Sequence, residues 1–449
     1  MHNKELTEPP APAQSPIKSV FKHLEGGGRG RVVLFLKTGA SISIIRTVAA
    51  ALGALGSIWV ARRLGPEKLG ISALVASIAA QVALVLEMQQ QSILVREYKA
   101  SDSEEDKEGL LQVVQSFRLI SGAFMVLLFG LGCYLIHHPE NFNLALWAFP
   151  PLLLARMGTP TWIFQAREKN VVAAVITAAQ QLFTLAAYLL AVRSISPAGT
   201  DLWCQAAAAL AFAVVTWKLI RSYSPLQNRS WRWAMAKKMR ALAWRGRWLF
   251  LAGASAYAYG VLEGPLMGYL LSVKELGKYR SAQSLASLAD LVGIALPTIL
   301  FPRFIEWRKV GVEHLWNRQL KIAGTLVVLI VPAAVLSFLI VPPVHRLIYG
   351  PAYYDASVPA AILVVSKLII MLNGIFAWGL IADGSQDRRT ALLMVSVAVV
   401  SVSLNVTLLP RFGITVASIV NVVSESSILV GAFLLGRARI KSFRAAGEL

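Results

Sequence analysis

The sequence predicts an all-α polytopic membrane protein, with about twelve transmembrane helices in two six-helix lobes around a central cavity. Three observations carry that prediction. Of the 449 residues, 56% are hydrophobic and only 15% are charged, where soluble domains carry about a quarter charged residues. The apolar residues are gathered in runs of bilayer-crossing length, separated by short polar links. The formal net charge of +20 is concentrated in alternate links, the arrangement that keeps one side of a membrane protein in the cytosol. That placement also argues against nucleic acid as the reason for the charge.

Taken in order, residues 1–31 contain Pro9, Pro10, Pro12 and Pro16 and no apolar core. They read as a disordered cytosolic tail, not a signal peptide. Spans follow at about 34–61, 69–94, 112–136, 144–164, 171–192 and 202–220, then at 248–271, 279–301, 322–341, 356–381, 390–409 and 414–436. An even number of spans puts both termini on one side, and most of the 44 Lys and Arg fall in the links of that side, which makes it the cytosol. The expected organisation is a tail (1–31), an N-terminal six-helix lobe (32–221), a basic, Trp-rich cytosolic linker (222–247), a C-terminal six-helix lobe (248–436) and a cytosolic tail (437–449).

Around that linker, Lys218, Arg221, Arg229, Arg232, Lys237, Lys238, Arg240, Arg245 and Arg247 are interleaved with Trp231, Trp233, Trp244 and Trp248. The segment reads as a topology anchor or as an amphipathic helix on anionic headgroups. Glu104, Glu105, Asp106 and Glu108 read as a solvated acidic link. Residues 302–321 read as a surface helix with Trp307 and Trp316 at the interface. A repeat crosses the linker. Leu64-Gly65-Pro66-Glu67-Lys68-Leu69-Gly70 joins spans 1 and 2, and Leu271-Ser272-Val273-Lys274-Glu275-Leu276-Gly277 joins spans 7 and 8. Two parallel lobes related by an axis along the membrane normal account for it.

Ionisable residues inside the spans are the candidates for function, because their desolvation must be repaid by partners or by a water-filled cavity. Arg46 lies ~18 Å into span 1, too deep to reach water by its own length. Arg156 lies in span 4, Glu263 in span 7, Asp290 in span 8, Lys367 in span 10 and Glu425 in span 12, with Glu87 and Arg118 nearer span ends. The first half offers deep cations without a deep anion, which suits an anionic substrate such as a phosphate or pyrophosphate group. The acids of the second half pair with those cations at rest or carry a coupling proton or sodium ion. Gly158 and Pro160, Gly260, Gly264 and Pro265, and Pro297 sit beside these positions and predict broken helices there.

No zinc-protease helix, P-loop, nucleophile elbow or metal-ligand cluster is present in the sequence, no link is long enough for a separate catalytic domain, and His137-His138 reads as a solvated pair. Cys133 and Cys204 lie in or beside apolar runs and imply no disulfide. No catalytic residue, cofactor or metal is expected.

Four link motifs resemble those of the oligosaccharide (polysaccharide) flippases, the O-antigen-type translocases of the multidrug/oligosaccharidyl-lipid/polysaccharide exporter superfamily. They are Arg63-Leu64-Gly65-Pro66-Glu67-Lys68-Leu69-Gly70, Leu347-Ile348-Tyr349-Gly350-Pro351-Ala352-Tyr353, Ala382-Asp383-Gly384 and Leu409-Pro410-Arg411-Phe412-Gly413-Ile414. The chain departs from the family pattern at Glu87-Met88-Gln89 and at Val416-Ala417-Ser418. The resemblance implies an inner-membrane protein that moves a polyprenyl-pyrophosphate-linked oligosaccharide from the cytosolic to the outer leaflet by alternating access. On that reading Arg46, Arg156 and Lys367 hold the pyrophosphate, and Glu87, Glu263, Asp290 and Glu425 serve gating or ion coupling to H+ or Na+. Membrane lipids and a glycan polymerase or glycosyltransferases are the implied partners. The alternatives are a drug or metabolite exporter of the same superfamily, and a membrane enzyme of lipid-linked glycan polymerisation.

Overall fold

Helix α1 (Gly28–Glu87) is broken only at Gly65, where the backbone takes φ 77° and ψ 171°. That left-handed region is open to glycine at no cost, and Pro66 then starts the second limb without needing an N–H partner. One element thus supplies spans 1 and 2. The computed structural model describes residues 28–87, 103–135, 140–159, 162–167, 169–223, 247–290, 306–383 and 387–446, with positions 94, 98, 244, 300, 303 and 304. Residues 1–27 of the expected tail, most of the basic linker with Trp231 and Trp233, His137-His138, Pro160, Pro297 and Gly384 lie outside the described residues, as do the side chains of Lys37, Glu87, Glu104 and Glu105.

The remaining helices are α2 (Glu104–Leu135), α3 (Asn143–Trp147), α4 (Phe149–Gly158), α5 (Trp162–Ala166), α6 (Asn170–Ala191), α7 (Thr200–Tyr223), α8 (Arg247–Val261), α9 (Glu263–Leu270), α10 (Val273–Ala286), α11 (Val312–Tyr349), α12 (Ser357–Asp383), α13 (Asp387–Phe412) and α14 (Ile414–Ala446). No strand occurs among the described residues. Among the described residues, eight helices are long and apolar enough to cross a membrane. One of them is the doubled α1, and the expected spans not among them are the fourth, the seventh and the eighth. The fourth is divided into α3, α4 and α5, the seventh is divided into α8 and α9 at Leu262, and the eighth is described only to Asp290. The expected breaks beside Arg156 and Glu263 are therefore present. The carbonyls released at the end of α4 find donors: Gln115 Nε2 gives a bond to Met157 O at 2.8 Å, and Trp217 Nε1 gives one to Gly158 O at 2.7 Å.

Two boundaries differ from expectation. Helix α11 runs unbroken from 312, so the proposed surface helix is in part the foot of span 9; Pro332, Pro342 and Pro343 are accommodated inside it. Helix α14 continues to Ala446 through most of the expected tail, with the Arg439 guanidinium 4.6 Å from the Phe443 ring centre. Of the basic linker, the described part shows the Arg247 guanidinium 4.5 Å from the Trp244 ring and Arg388 5.5 Å from Trp248.

The links after odd-numbered spans gather at one end of the bundle, here called the link end. Gly65, Gly199, Gly350 and Gly413 all sit in them, each with positive φ. The largest core lies here and draws on both halves, with Val60, Ala61, Leu64 and Leu69 packed among Leu276, Tyr279, Tyr349, Tyr353 and Leu409. At its centre the two repeat motifs cross. A Cβ on Gly70 would overlap the Val273 carbonyl, and a Cβ on Gly277 would overlap the Pro66 carbonyl. In the aligned motifs Pro66 matches Val273 and Gly70 matches Gly277, so the contact is reciprocal about a local two-fold axis. Ser272 accepts from Glu275 N at 3.2 Å and caps the start of α10. Two further bonds join the halves. The Tyr353 hydroxyl donates to Ala61 O at 2.7 Å, and Arg62 donates to Leu347 O at 2.6 Å and also to Ile348 O.

Candidate functional site

Beneath this crossing lies a cavity of about 330 Å³, near the lower end of ordinary ligand pockets. The second limb of α1 contributes Ala73 and Ser77; the second half contributes Tyr259, Gly260, Gly264, Arg280, Gln283, Ser287, Lys367, Asn421 and Glu425. Small residues on α8 and α9 keep the space open, and α10 and α12 bring the charges.

Two cations line it. Arg280 stands two turns into α10, exposed to the cavity, with Nη1 3.3 Å from Gln283 Oε1. Asp201, Tyr188 and Tyr349 lie within its electrostatic reach. Asp201 itself is buried and accepts from Ser72 Oγ at 2.6 Å. Lys367 projects from α12 and forms an ion pair with Asp290, Nζ to Oδ2 3.0 Å.

Two carboxylates are buried here, Glu425 in the cavity wall and Glu263 beside Gly264 of that wall. Glu263 accepts from Tyr279 Oη at 2.8 Å and from Asn421 Nδ2 at 3.4 Å. Glu425 accepts from Tyr259 Oη at 3.0 Å and from Asn373 Nδ2 at 2.6 Å. The arrangement is crossed. The strand of chain carrying Glu263 gives Tyr259 to Glu425, and α14, which carries Glu425, gives Asn421 to Glu263. Ser366 Oγ donates to Asn421 Oδ1 at 2.6 Å and fixes that amide's orientation. All four of these donors, Tyr279, Asn421, Tyr259 and Asn373, are neutral.

The structure brings together Lys367, Asp290, Glu263 and Glu425 of the sequence-predicted residues. Arg46 and Arg156 are not among the residues lining the cavity. Arg46 is half-buried on the first limb of α1, ~24 Å along the helix from the Arg62 contact at the link end. Arg156 is exposed on α4. The Glu87 side chain lies outside the described residues. The cations that do reach the cavity both come from the second half, contrary to the expected cationic wall in the first. Arg280 is the residue that sequence reasoning missed. It falls at the very start of the expected eighth span, next to the polar link from Lys274; the Ser272-x-x-Glu275 cap starts the helix at 273 and so places Arg280 two turns inside it.

Comparison with known proteins agrees with the resemblance of the link motifs. A probable flippase, AglR of Haloferax volcanii, is 28% identical over 203 residues, 44% of this chain and 41% of that protein, so the match spans less than half of the relative's length. Among solved structures, an inward-facing multidrug resistance MATE family transporter of the MOP superfamily superposes with a TM-score of 0.67 at 15% identity, over 90% of this chain and 99% of the other. The lipid II flippase MurJ in an inward closed conformation gives 0.66 at 13% identity, over 88% and 87%. At such identities the likeness establishes the fold alone, an all-helical membrane architecture shared with these transporters. The model of the family described as polysaccharide biosynthesis protein matches residues 35–307, well over half of the sequence, and this chain belongs to that family.

Proposed function

We propose that this protein is a flippase that carries a polyprenyl-pyrophosphate-linked oligosaccharide from the cytosolic to the outer leaflet of an inner membrane, with both termini cytosolic. The observation that carries the reading is a cavity lined by both halves of the chain into which Arg280 and Lys367 project. Two phosphates present several oxygens to a guanidinium fork and an ammonium, and such bonds strengthen away from bulk water. The polyprenyl tail stays in lipid, and the glycan hangs below the head group. Arg46 and Arg156, outside the cavity, are suited to meet the substrate on its way in. Family membership and the likeness to the probable flippase AglR and the lipid II flippase MurJ support the same class of cargo.

Glu263 and Glu425 are suited to take up a coupling proton or sodium ion, being buried carboxylates held by neutral hydroxyl and amide donors. No covalent chemistry is assigned to any residue. Glycosyltransferases and a polymerase would act before and after the translocation.

The test is flipping in proteoliposomes. A fluorescent polyprenyl-pyrophosphate oligosaccharide is loaded, and its appearance in the opposite leaflet is read by quenching with a membrane-impermeant reductant. Wild type should flip it, and Lys367→Met, folded by thermal melt, should lose at least tenfold in rate. A wild-type rate equal to that of empty vesicles overturns the proposal.

A further inference from the structure

The ion pair between Lys367 and Asp290 occupies the cation that the proposed cargo requires. Of the three deep acids described in the second half, Glu263 and Glu425 are buried and accept from neutral groups, whereas Asp290 takes the ammonium of Lys367 at 3.0 Å. The pair is not sealed in protein: the side chains of Lys367 and Asp290 retain 30% and 39% of their exposure. Lys367 also lies in the field of Glu425 and Glu263. A partly hydrated pair of this kind is weakly held and can be exchanged for a better anion.

We infer that Asp290 is an internal stand-in for phosphate, and that it sets how much negative charge a ligand must bring to enter the site. This rests on the pyrophosphate reading above. A bilayer offers a large excess of singly charged phosphodiester headgroups, and an uncovered Lys367 beside Arg280 would bind them. Against Asp290, a single-charge headgroup exchanges one monoanion for another and gains little. A pyrophosphate brings more charge and reaches Lys367 and Arg280 together, so it displaces the carboxylate. Asp290, already half in water, is rehydrated when released. The device thus selects multiply charged head groups over the surrounding lipid.

The experiment uses the full chain in detergent with three probes: inorganic pyrophosphate, inorganic phosphate and phosphatidylglycerol micelles, with affinities from calorimetry and melts to confirm folding. Asp290→Asn should bind pyrophosphate about fivefold tighter, equivalent to ~1 kcal/mol. It should tighten more on phosphatidylglycerol than on pyrophosphate, so that the preference for pyrophosphate narrows. On a Lys367→Met background the same substitution should have no effect, since the partner is gone. Asp290→Ser is the second variant should the amide fail to fold. Unchanged or weaker binding in both Asp290 variants overturns the inference, as does a gain that persists without Lys367, because Asp290 would then act on the cavity's general field. If wild type binds pyrophosphate but these patterns fail, only the stand-in role falls. If wild type binds pyrophosphate no better than phosphate and fails to flip the lipid-linked glycan, the proposed function falls with it.

Discussion

Arg280 separates two ways of using a positive charge. A lysine at that position would keep the charge but lose the bond to Gln283 and the planar fork that, in the proposed function, takes two phosphate oxygens. Arg280→Ala should lower flipping ~10–100-fold, the loss of a charge-assisted contact worth about 1.5–3 kcal/mol. Arg280→Lys should retain most of the binding of pyrophosphate and lose part of the rate. Equal activity of both variants and wild type would show that the guanidinium does not touch the cargo. At this scale the sequence was only partly informative. Glu263, Asp290, Lys367 and Glu425 stood out as charges in apolar surroundings, and the fold brings them to one neighbourhood. Depth alone says nothing about helix rotation or height along the bundle, so Arg46 and Arg156 read like Lys367, and of the three Lys367 lines the cavity. Arg280 was hidden for the opposite reason, lying at the polar edge of the expected eighth span, whereas the helix begins at 273 and sets it two turns inside.

At the scale of elements, the crossing of α1 and α10 depends on two missing side chains. Gly70 and Gly277 let two backbones approach until each glycine faces the other helix's carbonyl. Those obstacles are main-chain atoms and cannot rotate aside, so Gly70→Ala must push the helices apart. It should cost about 1–3 kcal/mol, as overpacking does, and lower the melting temperature in detergent; Gly277→Ala should do the same. Alanine at the half-exposed Gly260, where a Cβ meets nothing within 4 Å, is the control and should leave the melt unchanged apart from its helix propensity gain. The motif pair was readable as letters and as a repeat. That its two copies meet each other, Gly70 toward Val273 and Gly277 toward Pro66, was not, because a repeat gives the symmetry of two halves but not which faces they turn together. The breaks in the fourth and seventh spans were legible from Gly158, Gly260, Gly264 and Pro265, because glycine and proline act locally.

For the whole molecule, alternating access requires that the link end open while the lobes stay intact. The contacts that oppose this include the apolar core shared by both halves, the glycine crossing, the Tyr353–Ala61 bond and the Arg62 clasp on Leu347 and Ile348. Arg62 is exposed and spans from the end of the first limb of α1 to the end of α11, so it contributes little to either lobe's own packing. Removing it should therefore shift the balance between closed and open forms rather than unfold the protein. A charge-assisted pair of bonds at an exposed site is worth about 1 kcal/mol, and the open population should rise by up to ~5-fold. The readout is a cysteine at Gln283, which lines the cavity just under the crossing, in a background with Cys133 and Cys204 replaced by serine. An impermeant thiol reagent added from the link end should modify it slowly in the parent and several times faster in Arg62→Ala, while modification from the opposite side should not accelerate. Equal acceleration from both sides would mean that Arg62 supports packing generally. No acceleration from the link end would mean that the crossing glycines alone keep this end shut.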